Sequence, residues 1–169
     1  MSYLSITVIT RCRIKVYLIY EERKVLAMKS VLWTIAHKSY ESGFRRFARG
    51  VELLYFIING NSISAQAKIG GGTVFFHHGV GCVVHSRSII GEDCRIFQNV
   101  TIGSKWSDDK DPGKPPTIGN HVQIGAGAVL LGDIRIGDYA KIGANAVVLQ
   151  DVPVHSVAVG VPAKIIKSE

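Results

Sequence analysis

The chain has 169 residues, 47% of them apolar, and a formal net charge of +7; that is enough for one globular core and too little for two. Three cysteines, Cys12, Cys82 and Cys94, form no CxxC pair and no even set, which excludes a disulfide-stapled secreted scaffold and points to a reducing, cytoplasmic setting. The charge is lopsided, with ten Lys and Arg against four Glu up to Asn61 and ten against nine thereafter.

Residues 1–27 mix β-branched, aromatic and basic side chains with no sustained period. They are not a signal peptide, because the basic cluster follows the apolar run and no small-residue cleavage site comes after it. Nor do they span a bilayer, since Arg11, Arg13 and Lys15 interrupt any run long enough to cross one. The expectation is an extension ahead of a domain that starts near Met28. Over 29–58 the pattern turns helical: Leu32, Ile35 and Ala36 share a face, Phe44, Phe47 and Ala48 follow, and the run VELLYFII ends at Asn59-Gly60-Asn61. Arg45, Arg46 and Arg49 cluster beside these aromatics. They read as a solvated helix face against a partner subunit or, alternatively, as a basic amphipathic element on an anionic membrane surface. No nucleic-acid motif accompanies the charge, so no nucleic-acid partner is expected.

The remainder is periodic, and two parts are expected: a partly helical segment at 1–60 and a repeat domain at 61–169. Val84, Ile90, Ile96 and Ile102 lie six apart, and so do Ile118, Ile124, Leu130, Ile136, Ile142 and Val148. A small or branched residue follows four positions later, as at Ser88, Cys94, Val100, Val122, Ala128, Ile134, Ala140, Ala146 and Val152. Helices need spacings of three and four, and half-buried strands need alternation. Period six is the mark of a parallel β-helix of hexapeptides, an all-β repeat fold in which three hexads make one triangular coil. Between Ile102 and Ile118 the stretch 104–117, SKWSDDKDPGKPPT, is polar and proline-rich, and is expected to leave the helix as an extruded loop.

The register also slips once. Ile69 to Val84 is three residues longer than two hexads, and the excess falls on Phe75-Phe76-His77-His78-Gly79. A break in an otherwise strict repeat is a natural place for function. His37, on the expected helix, and His121, in a turn position, read as structural or solvated. His77 and His78 sit where the surface is deformed, and an imidazole near neutral pKa can take a proton from an attacking alcohol.

The segments IFQNVTIG (96–103), IGAGAVLLGDIRIGDYAKIGANAVVLQDVP (124–153) and AVGVPAKII (158–166) together resemble the serine acetyltransferase branch of the hexapeptide-repeat acyltransferases. The resemblance covers about two thirds of the chain. It implies a left-handed parallel β-helix, against the usual crossover hand, and a homotrimer with active sites between neighbouring subunits. It also implies transfer of an acetyl group from acetyl-CoA to a hydroxyl. In that family a histidine acts as base. Counting forward from Ile69 gives His77 and counting back from Val84 gives His78. The position of the insertion in sugar-modifying relatives favours His77, with His78 the alternative. Ala126 and Ala144 match small residues that lie against the pantetheine arm, and Lys164 and Lys167 match basic positions that meet the coenzyme's phosphates as point charges. Gln150 stands where some relatives have lysine.

Two departures bear on the acceptor. The aspartate that orients the histidine in serine-specific enzymes falls here on Ser62, with Asn61 and Ser64 beside it, and a second loop histidine is replaced by Lys114-Pro115-Pro116. They favour a sugar hydroxyl on a polysaccharide or its precursor over L-serine. The expected mechanism is direct transfer with backbone N–H groups on the oxyanion, since no activated nucleophile motif suggests a covalent route. A zinc carbonic anhydrase on the same fold would need three histidines. His85 and His121 supply two, the third is missing from Ile124-Gly125-Ala126-Gly127, and no metal is expected. A non-catalytic scaffold would need neither the paired histidines nor the intact IGAGA, IGANA and GVPAK segments.

Overall fold

The computed structural model describes residues 31–105 and 113–168, the last two by backbone alone. The expectations for 1–27 and for the middle of the 104–117 loop lie outside the described residues.

Three parallel sheets form the walls of a triangular prism. Sheet A stacks β1 (Ser62–Ile63), β4 (Val83–Val84), β7 (Thr101–Gly103), β10 (Val129–Leu131) and β13 (Val147–Val148). Sheet B stacks β2 (Lys68–Ile69), β5 (Ile89–Ile90), β8 (Thr117–Ile118) and β11 (Arg135–Ile136). Sheet C stacks β3 (Val74–Phe75), β6 (Arg95–Ile96), β9 (Gln123–Ile124), β12 (Lys141–Ile142) and β14 (Ser156–Val159), and ends with β15 (Lys164–Ser168), which runs antiparallel to β14. Up to β14, consecutive strands belong to different sheets, so each hydrogen bonds to the strand one full coil away.

The aliphatic column of each sheet is in register. Ile63, Val84, Ile102, Leu130 and Val148 align in sheet A; Phe75, Ile96, Ile124, Ile142 and Ala158 align in sheet C. From Val84 to Val148 none of the ten repeat aliphatics is more than 4% exposed, and each such burial stabilises by about 1.5–3 kcal/mol. The second inward position is equally dry, from Ser88 and Cys94 through Ala146 to Val152. Close stacking also explains Gly125, where an added Cβ would lie 2.5 Å from the Ala144 nitrogen.

Two helices precede the coils. The first, α1, occupies 31–41 of the described residues. It buries Ala36 and packs Leu32 and Trp33 on the core, whereas Ile35, expected on the same buried face, stays exposed. Trp33 donates Nε1–H to the Ser64 carbonyl (3.1 Å), and His37, stacked on Trp33, donates Nδ1–H to the Ala65 carbonyl (2.6 Å). The second helix, α2 (Arg45–Asn59), ends at Gly60 in the left-handed conformation, a common helix stop. It seats Ala48 and Tyr55 inward and leaves Phe47, Leu54, Ile57 and Ile58 exposed, as is Phe44 just ahead of it.

The loop departs after β7 and returns before β8, at the edge between sheets A and B. Its returning end lies flat there: Pro115 and Pro116 are buried, Lys114 pairs with Asp133 at 3.1 Å, and the Arg87 guanidinium donates to the Gly113 carbonyl.

Candidate active site

The edge where sheet C turns into sheet A is built from the same turn in successive coils. Phe75 still pairs with Ile96 and Val84 still pairs with Ile102. The three extra residues are therefore confined between them, and the chain ejects them as a tight turn over Phe76–Gly79. His77 and His78 both adopt left-handed backbone, with φ of 52° and 64°. Such a conformation is costly for a side chain with a Cβ and is held only when its surroundings fix it. Here Phe76 stacks on Phe97 of the next coil with centroids 4.8 Å apart, Gly79 is buried, and Gly81 donates to the Gly60 carbonyl (2.8 Å).

The two histidines differ in support. His77 is exposed, and its carbonyl accepts the Val80 N–H at 3.2 Å. His78 is half-buried, and its carbonyl accepts Asn61 Nδ2–H at 3.0 Å. Asn61 is itself only 2% exposed and lies beside the Tyr55 phenol, whose pKa burial pushes above 10.0 against the opposing effect of Asn61. A chain of side chains thus runs from α2 through Tyr55 and Asn61 to the turn.

Farther along this edge come Asn99, then Ala126 and Gly127, then Ala144 and Asn145, one set per coil. With coils about 4.8 Å apart, the histidine turn and Ala144 are separated by on the order of 14 Å. Ala126 is half-buried and Ala144 exposed, so together they form a shallow strip of small side chains. Lys164 opens β15 opposite Val159, at the end of the same edge, and is exposed. Lys167 pairs with Val157, farther from the edge, and its side chain lies outside the described residues. Gln150 follows β13 on the turn toward sheet B and does not join the strip.

Ser62 points outward from β1 and borders a cavity of about 280 Å³ between β1 and α2, lined by Glu52, Leu53, Tyr55, Phe56, Asn61 and Ser64 among others. Glu52 Oε1 accepts the Ala65 N–H at 2.5 Å. The departure noted at Ser62 is therefore local, because the fold brings a carboxylate to the same wall from the preceding helix. Sequence reasoning missed Glu52. Its one signal is that no other acidic residue occurs between Glu41 and Glu92.

The remaining histidines are elsewhere. His85 accepts the Arg87 N–H (3.1 Å) on the edge between sheets A and B. His121 stacks on Tyr139, which stacks on His155, with centroid spacings of 4.6 and 4.8 Å on the edge between sheets B and C. His85 and His121 thus lie on different edges, and among the described residues no group of three His, Cys, Asp or Glu could hold a metal ion.

A coiled hexapeptide prism with a histidine turn at the head of a small-residue strip has the build of an acyltransferase. Residues 115–150 match the family described as bacterial transferase hexapeptide (six repeats). The serine acetyltransferase of Helicobacter pylori (strain J99) is 44% identical over 138 residues, which is 81% of this chain and 78% of that protein. The serine acetyltransferase of Staphylococcus aureus (strain Mu50) is 41% identical over 136 residues, covering 80% and 62%. The crystal structure of serine acetyltransferase from Brucella abortus strain S19 in complex with coenzyme A superposes with a TM-score of 0.75 at 34% identity, over 81% of this chain and 54% of that one. The chain thus spans most of the first relative's length and about half of the crystallised chain.

The chain belongs to the serine acetyltransferase-like branch of the hexapeptide-repeat acyltransferases, a class of acetyl-CoA-dependent enzymes. Its fold is the left-handed parallel β-helix of that class, preceded by a short helical segment. The sugar acceptor expected from Ser62 and Pro115 gains no support from relatives named for serine, and the L-serine alternative fits them better.

Proposed function

We propose that the protein is an L-serine O-acetyltransferase that moves the acetyl group of acetyl-CoA directly to the serine hydroxyl. The observation that carries this reading is the alignment of the histidine turn with Ala126 and Ala144 on one edge. Larger residues there would obstruct a thioester arm lying along the strip. We take His78 as the base rather than His77, because a base must be held in place and His78 has the half-buried side chain and a backbone carbonyl tied to a buried asparagine. Its imidazole takes the hydroxyl proton as the serine oxygen attacks the thioester carbonyl. The tetrahedral oxyanion is met by backbone N–H groups; on its collapse the C–S bond breaks and the proton passes to the departing thiolate, leaving O-acetylserine and CoA. Lys164 and Lys167 are assigned to the coenzyme's phosphates.

The division into a helical segment at 1–60 and a catalytic coil at 61–169 belongs to this reading, as does a homotrimer. Sheet A supports the trimer. Its outward column, Ser62, Val83, Thr101, Val129 and Val147, is uncharged along its whole height and borders the histidine edge. The exposed apolar stripe of α2 is assigned to a neighbouring subunit; the anionic-membrane alternative is checked by sedimentation with phosphatidylserine vesicles. No helix among the described residues is long and apolar enough to cross a membrane, and the unpaired, buried thiols of Cys82 and Cys94 support a cytoplasmic location. A sugar acceptor stays as the second reading on one observation, the absence of a carboxylate on β1 itself. The test is release of CoA thiol from acetyl-CoA with L-serine in one reaction and a panel of mono- and oligosaccharides in others. Release with L-serine supports the proposal, and release only with a sugar overturns it.

A further inference from the structure

The cavity between α2 and β1 is walled by amide, hydroxyl and apolar groups and by a single charged side chain, Glu52. One end of its lining is Asn61, which holds the carbonyl of His78. The other end is Ser64, beside the Ala65 amide that fixes Glu52 Oε1. A carboxylate has two oxygens and about four acceptor sites, so one bond to a backbone amide leaves it able to accept from a ligand. Held in a partly enclosed wall, a fixed negative charge favours a cation over a neutral group, and a charge-assisted hydrogen bond from an ammonium is about twice as strong as a neutral one.

We infer that this cavity is the acceptor pocket and that Glu52 is the residue selecting an α-amino acid, its carboxylate receiving the ammonium group while Asn61 sets the histidine turn at the other end. The inference rests on the L-serine reading and deepens it. It assigns the discrimination between serine and a neutral hydroxyl compound to a helix residue ahead of the coils rather than to β1, where Ser62 offers no charge. Glu52 is a specificity-determining residue in this scheme and takes no part in proton transfer.

The test compares L-serine with 3-hydroxypropionate, the same molecule with hydrogen in place of the ammonium, in the thiol-release assay. The wild type is expected to prefer L-serine at least tenfold in kcat/KM. Glu52→Gln keeps a carbonyl oxygen that can accept the Ala65 N–H, and should raise the KM for L-serine at least tenfold. It should leave kcat and the KM for acetyl-CoA within twofold and 3-hydroxypropionate unaffected, so that the preference collapses. A purely structural Glu52 would leave this ratio unmoved. Unchanged KM for L-serine in folded Glu52→Gln overturns the inference and leaves the serine reading standing. If the variant does not fold, the wild-type ratio decides: a value near one overturns the inference by itself. No thiol release with L-serine in the wild type removes the serine reading, and the inference falls with it.

Discussion

Between Ile118 and Val148 each hexad uses its six residues in the same way, two facing inward and the rest forming the wall and turn, whereas the first coil uses nine residues to pass from Phe75 to Val84. The interiors nevertheless match: Phe75 sits under Ile96 and Val84 under Ile102, as Ile124 sits under Ile142. The contrast teaches where such a fold can accept novelty. An extra residue inside the prism would displace every coil above it, but one ejected at an edge costs only a strained turn. The regular coils are thus a scale against which the irregular one, with its two histidines, stands out.

The comparison is broken most severely from the regular side. Ile124→Ala removes a fully buried side chain from the middle of a column and is expected to cost about 2–5 kcal/mol of stability, read as a lowered denaturant midpoint; a loss under about 1 kcal/mol would mean that the coils repack freely. From the irregular side, His78→Ala should lower turnover at least about a hundredfold, near 2.7 kcal/mol, without moving that midpoint. His77→Ala should cost less than about tenfold. If the two variants exchange effects, His77 is the base and the Asn61 anchor serves only the turn. A smaller effect lies on the strip shared by both regions. Ala144 is exposed, so Ala144→Leu should leave stability within about 0.5 kcal/mol while raising the KM for acetyl-CoA about tenfold, or 1.4 kcal/mol; an unchanged KM would take the coenzyme off this edge.

The smallest effect is a pH dependence in which both regions share. Burial, partly offset by hydrogen bonds, pushes the Cys82 and Cys94 thiols above the ordinary thiol value, and the Tyr55 phenol above its own. The folded state therefore holds these protons more tightly than the unfolded chain. Their contribution to stability is whole below about pH 8.5, the unfolded thiol value, and is lost as pH rises through the higher folded values. The denaturant midpoint should fall between about pH 8 and pH 10, and Cys82→Ala/Cys94→Ala should flatten that fall; an equal fall in the double variant would place its origin elsewhere.

The coils were legible because period six is a local property: Ile118 to Val148 states its own register, and the polar stretch after Gly103 states where it is interrupted. The slip was legible for the same reason, as a count that fails. Which histidine is anchored was not, because the deciding contact comes from Asn61, seventeen residues earlier. The helices were legible as helices but not in their facing. Ile35 on α1, and Phe44 and Phe47 around the start of α2, fit an apolar face by spacing and are exposed in the fold, whereas the α2 residue that joins the core of the coils is Tyr55. Glu52 was hidden for a related reason: a long side chain on a helix reveals nothing of the backbone amide it will meet.

A stack of parallel strands has two open ends, and each could template the addition of another chain. At the leading end Trp33 and His37 occupy the Ser64 and Ala65 carbonyls and Glu52 takes the Ala65 amide. At the trailing end β15 reverses against β14, and Gly160 and Ala163 exchange hydrogen bonds with Val147. Among the described residues the chain's own groups thus cover the trailing edge of sheet C and the Ser64–Ala65 turn of the leading end, contacts that work against lengthening into a fibre.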